Sequence, residues 1–284
     1  MTIESQEFGM SSEQLAAQKT VFDPSLFEGK RVVISGGGSG IGKAAAWLFA
    51  RLGAEVTIVG RSEQKLQSVV EEIRSHGYSI VSHSLDIRDA SAVENFFDGQ
   101  GSPIDVLVNS AGGQFPQQSI DFSANGWKAV IDTNLNGTWF MMQAAARHWR
   151  ALDAPGNIVN IVTVISRGMP GVAHTCAARA GVIYASKSVA VEWAPLNIRI
   201  NCIAPGITNT EGMKVYPDEA VRHFTDSNPM RRFASSWEIA EACAYFASDA
   251  SGFITGEVLT LDGGGQLWGE LWTAGKPDYF KTSS

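Results

Sequence analysis

The chain has 284 residues, of which 44% are hydrophobic and 18% are charged, so it can bury a sizeable core and belongs to neither the disordered nor the fibrous classes. This length allows one large α/β domain or two smaller domains. The formal net charge of −7 argues against a general surface for nucleic acid or anionic membranes. Any phosphate-binding site must therefore be local.

The three cysteines are odd in number and lack metal-ligand spacing, so we expect no disulfide framework and no metal site. The first 30 residues contain no signal-peptide core, and no run of about eighteen apolar residues occurs in the sequence. We therefore expect a soluble, unprocessed, cytoplasmic protein that makes no membrane contact.

Strand patterns and helical patterns alternate from Arg31 onward. The predicted strands are RVVIS, AEVTIVG, SIVSHSLDI, DVLVNSAG, NIVNIVTV, IRINCIAPG and EVLTLDGG. The predicted helices contain KAAAWLFARLG or lie near residues 90–97, 124–150, 175–194 and 237–248. Seven strands interleaved with helices predict an α/β fold, a single-domain, doubly wound parallel seven-stranded sheet of the Rossmann type.

This pattern divides the chain into an N-terminal arm (1–27), the Rossmann domain (28–265) and a C-terminal tail (266–284). The arm is polar and weakly periodic, and we expect it to lie on the surface or on a neighbouring subunit. Residues 211–234 interrupt the regular alternation after the sixth strand. Because ligands bind at the carboxyl ends of parallel strands, this segment is predicted to be a substrate lid, with a plain surface loop as the alternative.

A glycine-rich segment follows the first strand and opens a helix. Glycines allow the backbone to approach a pyrophosphate, and the helix amino terminus offers N–H groups and the positive end of its dipole. The strand before and the helix after supply the context that a dinucleotide site requires. The predicted cofactor contacts here are Ser35, Gly36, Gly38, Ser39, Gly40 and Ile41.

The end of the second strand indicates which dinucleotide binds. Sites for NAD usually offer an Asp or Glu there to the ribose 2′-hydroxyl, whereas this chain has Gly60-Arg61-Ser62. The guanidinium of Arg61 can pair with a 2′-phosphate, which predicts NADP(H). The alternative is that Arg61 is an ordinary solvated residue at a helix start.

From Glu28 to about Gly265 the chain resembles the short-chain dehydrogenase/reductases. The matching motifs are SGGGSGIG, Asp86-Ile87, NSAG, Asn134 in DTNLNG, PGITNT and the closing LDGG. The resemblance implies a tetramer, an adenine contact at Asp86, and carboxamide and phosphate contacts at Ile207 and Thr210. The cofactor contacts that it adds are Asp86, Ile87, Asn109, Ala111, Gly112, Pro205, Gly206, Ile207 and Thr210.

The residues that carry the family's chemistry are mostly replaced. That chemistry uses an Asn, a Ser, and a Tyr and Lys four residues apart on one helix. Counting back from Pro205-Gly206 places Thr175 at the Tyr position and Arg179 at the Lys position. The Ser position falls on Thr163, with Ser166 as a nearby substitute, and only Asn134 matches outright. The candidate catalytic residues are Asn134, Thr163, Thr175 and Arg179, and Arg179 is also expected to bind the nicotinamide ribose.

Tyr184 imitates the missing motif in Tyr184-Ala185-Ser186-Lys187, but its lysine is three residues away instead of four. Tyr184 lies nine residues after Thr175, which is about 900° of helical rotation and therefore half a turn off. We expect Tyr184 to face a packing or subunit contact if Thr175 faces the cofactor, and catalysis by Tyr184 is the alternative.

Such a site lacks a good acid for ketone reduction, since a threonine hydroxyl is far less acidic than a phenol. Reduction of an enoyl thioester instead requires donors that hold an enolate oxygen. Residues 174–182 and VEWAPLNIRINCIAPG resemble peroxisomal-type trans-2-enoyl-CoA reductases and bacterial citronellol/citronellal dehydrogenases. The ending Lys-Thr-Ser-Ser differs from a peroxisomal address, which agrees with a bacterial-type cytosolic location.

The leading hypothesis is an NADPH-dependent reductase of a 2-enoyl thioester, with an acyl-CoA or a lipid-like or terpenoid-like small molecule as substrate. A second hypothesis is a dehydrogenase of a terpenoid alcohol or aldehyde in which Tyr184, Tyr216 or His174 is the acid. His174 is also readily explained as a structural hydrogen-bonding residue. A third hypothesis is a non-catalytic NADPH-binding protein. The tail aromatics Trp268, Trp272, Tyr279 and Phe280 are expected to cover a subunit contact or to pack in the core.

Overall fold

The computed structural model describes residues 8–269, 273, 275–277 and 280. Seven strands form one parallel sheet in the order β3-β2-β1-β4-β5-β6-β9, and β7 pairs with β8 in a separate short ladder. The predicted doubly wound seven-stranded sheet is therefore confirmed. The strands are β1 (Arg31–Ser35), β2 (Glu55–Gly60), β3 (Ile80–Ser84), β4 (Val106–Asn109), β5 (Gly156–Ile161), β6 (Ile198–Pro205), β7 (Thr208–Asn209), β8 (Ala234–Ser235) and β9 (Val258–Leu261).

Helices cover both faces of the sheet. They are α1 (Ser12–Ala17), α2 (Gly40–Arg51), α3 (Glu63–Ser75), α4 (Ala90–Asp98), α5 (Ala124–Ile131), α6 (Gly137–Ala151), α7 (Ala173–Trp193), α8 (Asp218–Arg222) and α9 (Ser236–Ala247). Alternate strand residues point to opposite faces. Val32 and Ile34 therefore join one apolar core with α2, α3 and α9, whereas Val33 and Leu107 join a second core with α4 and α6.

The long helix predicted over residues 124–150 is interrupted. Its α5 and α6 segments are joined by a π-helical turn at Asp132–Asn136. A π turn inserts a residue into the helical ladder and often marks a functional position. The hydrophobic pattern of the sequence did not reveal this turn.

Several strands end earlier than their apolar runs predicted. The fourth strand ends at Asn109 and not within NSAG, and the last ends at Leu261 and not within LDGG. The small residues that follow leave the sheet at its carboxyl edge, so these segments are loops beside the site and not strand.

The described part of the arm packs on its own domain. Leu15 of α1 is buried, and its carbonyl oxygen accepts a hydrogen bond from Arg51 of α2 at 2.8 Å. The Trp237 indole of α9 donates to the Lys19 carbonyl at 3.1 Å. Of the two locations expected for the arm, the structure therefore shows the surface of its own domain.

The predicted lid segment leaves the main sheet between two short strands, β7 and β8, which pair with each other. Thr208 and Asn209 of β7 align with Ala234 and Ser235 of β8, and residues 211–234 run between them as short helical turns and α8. Within the described residues, no helix combines the length and apolar character that a membrane crossing requires. The same residues contain no group of three or more His, Cys, Asp or Glu side chains that could hold a metal ion.

Candidate active site

A cavity of about 450 Å³ opens at the carboxyl ends of β1, β2 and β3. Its walls combine the glycine loop, the ends of β2 and β3, and the loop after β4. It is lined by Gly36, Gly38, Ser39, Gly60, Arg61, Ser62, Lys65, Leu66, Leu85, Asp86, Ile87, Ala111, Gly112 and Thr133. The structure thus brings together eight of the predicted cofactor contacts, namely Gly36, Gly38, Ser39, Arg61, Asp86, Ile87, Ala111 and Gly112.

The glycine loop leaves no room for side chains where the chain turns into α2. Gly36 has a φ of +74°, and a Cβ there would stand 2.8 Å from the backbone of Ala111. A Cβ on Gly42 would collide with the Gly36 carbonyl. Ser39, at the N-cap of α2, makes no side-chain cap hydrogen bond. A bare backbone at a helix terminus whose N-cap side chain makes no hydrogen bond fits the pyrophosphate of NAD(P).

Two cations stand at the cavity wall where the second strand ends. Arg61 was predicted there, and Lys65, one turn along α3, was not. The Asp86 carboxylate is engaged by Arg88 at 2.5 Å, and that hydrogen bond holds its pKa below the ordinary value.

Ser35 and Asn109 lie inside the sheet and not on the cavity wall. Asn109 donates to the Asn160 side chain at 2.9 Å, and Asn160 donates to Ser186 Oγ of α7 at 2.9 Å. Ser35 Oγ accepts the Ala111 N–H at 3.2 Å. These buried hydrogen bonds tie the ends of β1, β4 and β5 to α7, so both residues support the site from below.

Asn134 lies on the π turn and is buried. Its side-chain Oδ1 accepts the Gly113 N–H at 2.9 Å, and its Nδ2 donates to the Gly113 carbonyl at 2.9 Å. This reciprocal pair fixes the loop after β4. The amide of Asn134 is therefore engaged by the backbone, and the residue is placed to position the site.

Thr175 and Arg179 lie one turn apart on the buried side of α7. Thr175 is 3% exposed and Arg179 is 7% exposed. Neither Thr175 Oγ1 nor Arg179 Nη1 has a hydrogen-bond partner among the described residues. A side chain at Gly112 would collide with the Arg179 guanidinium and would stand 3.1 Å from Asn134 Oδ1. The structure therefore brings Arg179, Asn134 and the cavity wall together.

The Arg179 guanidinium has lost most of its solvent without gaining a carboxylate partner. Desolvation by burial lowers the pKa of Arg179 to about 10, and the neighbouring Cys202 opposes this shift. The side chain remains cationic at neutral pH. A buried, incompletely hydrogen-bonded cation is costly, so it favours any anionic group that forms beside it.

The other predicted residues surround this centre. Thr163 Oγ1 lies 3.5 Å from the Pro205 carbonyl, and Ser166 is exposed. Thr210 is next to the glycine loop, since a Cβ on Gly40 would stand 3.4 Å from Thr210 Cβ. Ile207 lines a separate apolar cavity of about 270 Å³, and Gly206 packs against Asp262. Ile41 packs against the core of the α2 face.

His174 is buried between two aromatic rings at the start of α7. Its ring stacks on Phe122 at 4.5 Å and meets Phe115 edge-on at 4.6 Å. Its Nδ1 accepts the Thr175 N–H at 2.7 Å, and burial lowers its pKa. A neutral, packed imidazole matches the structural explanation of this residue better than the acid hypothesis.

Tyr184 and Tyr216 have opposite surroundings. Tyr184 is 69% exposed, as the helical rotation from Thr175 predicted, and Lys187 lies over its ring. Tyr216 belongs to the lid segment, and its Oη accepts a hydrogen bond from the Gln114 side chain. Gln114 directly follows the Gly113 that Asn134 holds. The predicted lid segment thus places a partly buried phenol next to Gln114.

The tail is described only in part. The Trp268 and Phe280 rings lie 4.7 Å apart, with the Arg231 guanidinium 5.8 Å from the centre of each. Trp272 and Tyr279, the other two predicted tail aromatics, lie outside the described residues.

Comparisons with known proteins agree with this geometry. The family model described as enoyl-(acyl carrier protein) reductase matches residues 36–266. A probable 2,4-dienoyl-CoA reductase, (2E)-enoyl-CoA-producing, of Bacillus subtilis strain 168 is 38% identical over 84% of this chain and 96% of its own length. The 3-oxoacyl-(acyl-carrier-protein) reductase FabG of Chlamydia pneumoniae is 33% identical over 83% of this chain and 96% of its own length.

The fold also matches solved structures. The citronellol catabolism dehydrogenase AtuB of Pseudomonas aeruginosa PAO1 superposes with a TM-score of 0.77 at 33% identity, covering 87% of this chain and 98% of that one. The match to the family model includes the glycine loop from Gly36 onward and the whole of α7. This chain belongs to the short-chain dehydrogenase/reductase family and is an NAD(P)-dependent oxidoreductase.

Proposed function

We propose that this enzyme uses NADPH to reduce a carbon–carbon double bond conjugated to a thioester, in an enoyl-CoA or dienoyl-CoA. The observation that carries the proposal is the pair of unpartnered buried donors, Thr175 Oγ1 and Arg179 Nη1, on a helix that lacks the family's tyrosine. Such a site offers hydrogen bonds and a fixed charge, whereas the tyrosine of that helix, Tyr184, is 69% exposed on its other side. It suits a reaction whose intermediate needs charge stabilisation at oxygen.

Conjugate reduction makes this demand. Bound NADPH would supply a hydride to the far carbon of the conjugated system. The electron pair of the double bond then moves toward the thioester carbonyl, whose oxygen becomes an enolate. Arg179 and Thr175 would hold that oxygen, and a proton added later at the α-carbon completes the reduction. Preorganised donors in a site without water are worth far more than the same donors in solution.

Asn134 contributes by position under this proposal. Its amide is committed to the Gly113 backbone at 2.9 Å in both directions. It would keep Gly112 against the Arg179 guanidinium and so fix the distance between the cofactor cavity and the charged donor. Thr163, beside the Pro205 carbonyl, is proposed to complete the wall on the opposite side.

The choice of NADPH over NADH rests on Arg61 and Lys65. Both line the cavity at the end of β2, where a carboxylate would be expected for NADH. Two cations favour a 2′-phosphate over a hydroxyl, and the guanidinium can make two parallel hydrogen bonds to it. The pKa of Asp86, on the same cavity wall, is lowered first by its hydrogen bond with Arg88 and to a smaller extent by the charge of Arg61.

The test is a substrate comparison with purified enzyme. Oxidation of NADPH is followed with a 2-enoyl-CoA, a 2,4-dienoyl-CoA, a 3-oxoacyl thioester and a terpenoid aldehyde. We expect turnover of the enoyl or dienoyl thioester. Turnover of only the oxo and aldehyde substrates would overturn the proposal, and tight NADPH binding without turnover of any of the four would indicate a non-catalytic protein.

Carbonyl reduction is the second candidate, because the lid supplies a phenol. The Gln114 side chain donates to Tyr216 Oη, so the phenolic proton remains available for a carbonyl oxygen. Burial raises the pKa of Tyr216, which keeps it protonated. The reductase and dehydrogenase names of two relatives above agree with this chemistry. Loss of turnover in Tyr216→Phe with retention in Thr175→Val would favour it.

We also propose a cytoplasmic tetramer. Its support is the face of α7 that carries Tyr184 and Val191, which are 69% and 79% exposed. Exposed apolar side chains on one helix face agree with a subunit contact. Light scattering of the purified protein measures the assembly directly, and a monomer at micromolar concentration would contradict it.

A further inference from the structure

A carboxylate from the lid segment caps the helix that follows the glycine loop. The Gly40 N–H, at the first residue of α2, donates to Glu211 Oε2 at 3.0 Å. The side chain of the N-cap residue, Ser39, makes no capping hydrogen bond. The two partners are 171 residues apart in the chain, so the contact exists only in the folded domain. The positive end of the α2 dipole stabilises the anionic side chain there.

Gly40 is also one of the predicted cofactor contacts. The adjoining residues Gly36, Gly38 and Ser39 line the dinucleotide cavity. Thr210, which the family resemblance assigns to the phosphates, stands beside Gly40 and directly precedes Glu211. A carboxylate and a pyrophosphate cannot both accept the same N–H, and two anions at one helix terminus repel each other.

Glu211 is also connected to two other segments of the chain, the predicted lid segment and the N-terminal arm. It begins the helical turn Glu211–Val215 of the lid segment. On its other side, a Cβ on Gly9 would stand 2.8 Å from its Oε1, and the Gly9 N–H donates to Asn209 Oδ1 at 3.0 Å. The same lid segment reaches the candidate active site through Tyr216 and Gln114.

We propose that Glu211 is an internal occupant of the pyrophosphate site, which the cofactor displaces when it binds. Displacement moves the start of the lid away from the glycine loop and loosens its contact with the arm at Gly9. The same displacement would change the position of the segment that carries Tyr216 toward Gln114.

The inference needs only the dinucleotide site and does not depend on which substrate is reduced. It is tested by titrating the intact enzyme with NADPH and following cofactor fluorescence at low ionic strength. Glu211→Gln keeps the size of the side chain and removes its charge. We expect the Kd for NADPH to fall by roughly 2- to 30-fold, the range of a single charge at a helix terminus.

The matched control is Glu219→Gln, which removes the same charge from an exposed position on α8 of the lid. Its Kd should stay within about twofold of the wild-type value, since exposed charges at a distance are screened. An unchanged or higher Kd in Glu211→Gln would overturn the proposal, as would equal gains in both variants.

A second measurement needs no variant. Hydrogen exchange of the wild-type backbone amides in residues 211–215 is compared with and without NADP⁺. Displacement of Glu211 predicts faster exchange in this segment when the cofactor is present, while the amides of the glycine loop exchange more slowly. Slower exchange in both segments would mean that Glu211 supports the bound cofactor, and the proposal would be wrong.

Discussion

The cofactor side and the reaction side of the site are built in different ways. The cofactor side is made mostly of backbone that comes from one continuous stretch, from β1 through α3. The reaction side is made of side chains from α7, the π turn and the loops after β4 and β6. Backbone recognition depends on small residues in local order, whereas side-chain recognition depends on distant segments that converge. The cofactor side is therefore visible in the sequence as a motif, whereas each side chain of the reaction side can be replaced separately.

The two sides also differ in electrostatics. The cavity cations Arg61 and Lys65 are solvent-accessible and meet a ligand that is already charged. Arg179 is buried, has no hydrogen-bond partner at Nη1 among the described residues, and is proposed to stabilise a charge that develops during the reaction. Changes on the cofactor side should therefore alter affinity, and changes on the reaction side should alter turnover.

The largest effect is expected from Arg179→Met. Loss of the buried cation should lower kcat by about 10³-fold with saturating NADPH, since single donors to a developing oxyanion are worth on the order of 10²- to 10³-fold. The melting temperature should stay the same or rise, because the cost of burying the charge disappears. Steady-state kinetics and thermal unfolding measure the two quantities.

Its matched control is Arg199→Met. Burial also lowers the pKa of Arg199, but this guanidinium donates to four acceptors, among them the carbonyls of Phe246 and Ser248 at 3.3 Å. This variant should lose stability and keep its kcat. Wild-type turnover in Arg179→Met would show that the helix register assigned to the reaction side is wrong.

The second effect compares Thr175→Val with Tyr184→Phe. The valine variant removes a buried hydroxyl without a partner and should lower kcat on an enoyl thioester on the order of 10²-fold. The phenylalanine variant keeps the ring of an exposed residue and should leave kcat nearly unchanged. The reverse ranking, with loss of a phenol-like limb from the pH–rate profile of Tyr184→Phe, would make Tyr184 the acid.

The third effect belongs to the cofactor side. Arg61→Ala should weaken NADPH by about 10- to 100-fold, the value of a charge-assisted hydrogen bond, and should change NADH binding much less. Lys128→Ala removes the same charge from an exposed helix outside the cavity and should change neither Kd. Equal losses for both cofactors in Arg61→Ala would contradict the proposed 2′-phosphate contact.

The smallest effect concerns stability and pH. Burial lowers the pKa of both His174 and His148 from 6.5. Below that pH the unfolded chain therefore binds more protons than the folded chain. The free energy of unfolding should therefore fall as the pH drops below about 6.5, by at most about 1.4 kcal/mol per pH unit for each proton.

Urea unfolding between pH 7.5 and 5.5, a range of roughly two pH units around the ordinary histidine pKa, measures this slope. His174→Asn can still accept the Thr175 N–H and should remove about one proton of the dependence. The double variant with His148→Asn should remove a second. An unchanged slope in His174→Asn would mean that His174 is protonated in the folded enzyme.

The sheet, its strand number and its parallel order were predictable because each strand and helix carries its own period. The segment Arg31–Arg51 alone predicts a strand, a bare glycine turn and a helix, and the structure confirms all three. Arg61 could be placed at the cavity for the same reason, since it directly follows a strand end. The orientation of Tyr184 away from Thr175 could be predicted from the rotation per residue of a single α-helix.

Other features required the tertiary structure. Lys65 becomes part of the cavity only because α3 starts beside the glycine loop, and Ser35 and Asn109 turn inward because β1, β4 and β5 align them in one buried row. The Glu211 contact with Gly40 joins segments that no local pattern relates. Local sequence therefore determined the framework and the backbone of the cofactor site, since periodicity and turn chemistry act over a few residues. Only the fold decided which side chains meet, which remain unpaired and which carboxylate caps α2, because those outcomes depend on burial and on distances between segments far apart in the chain.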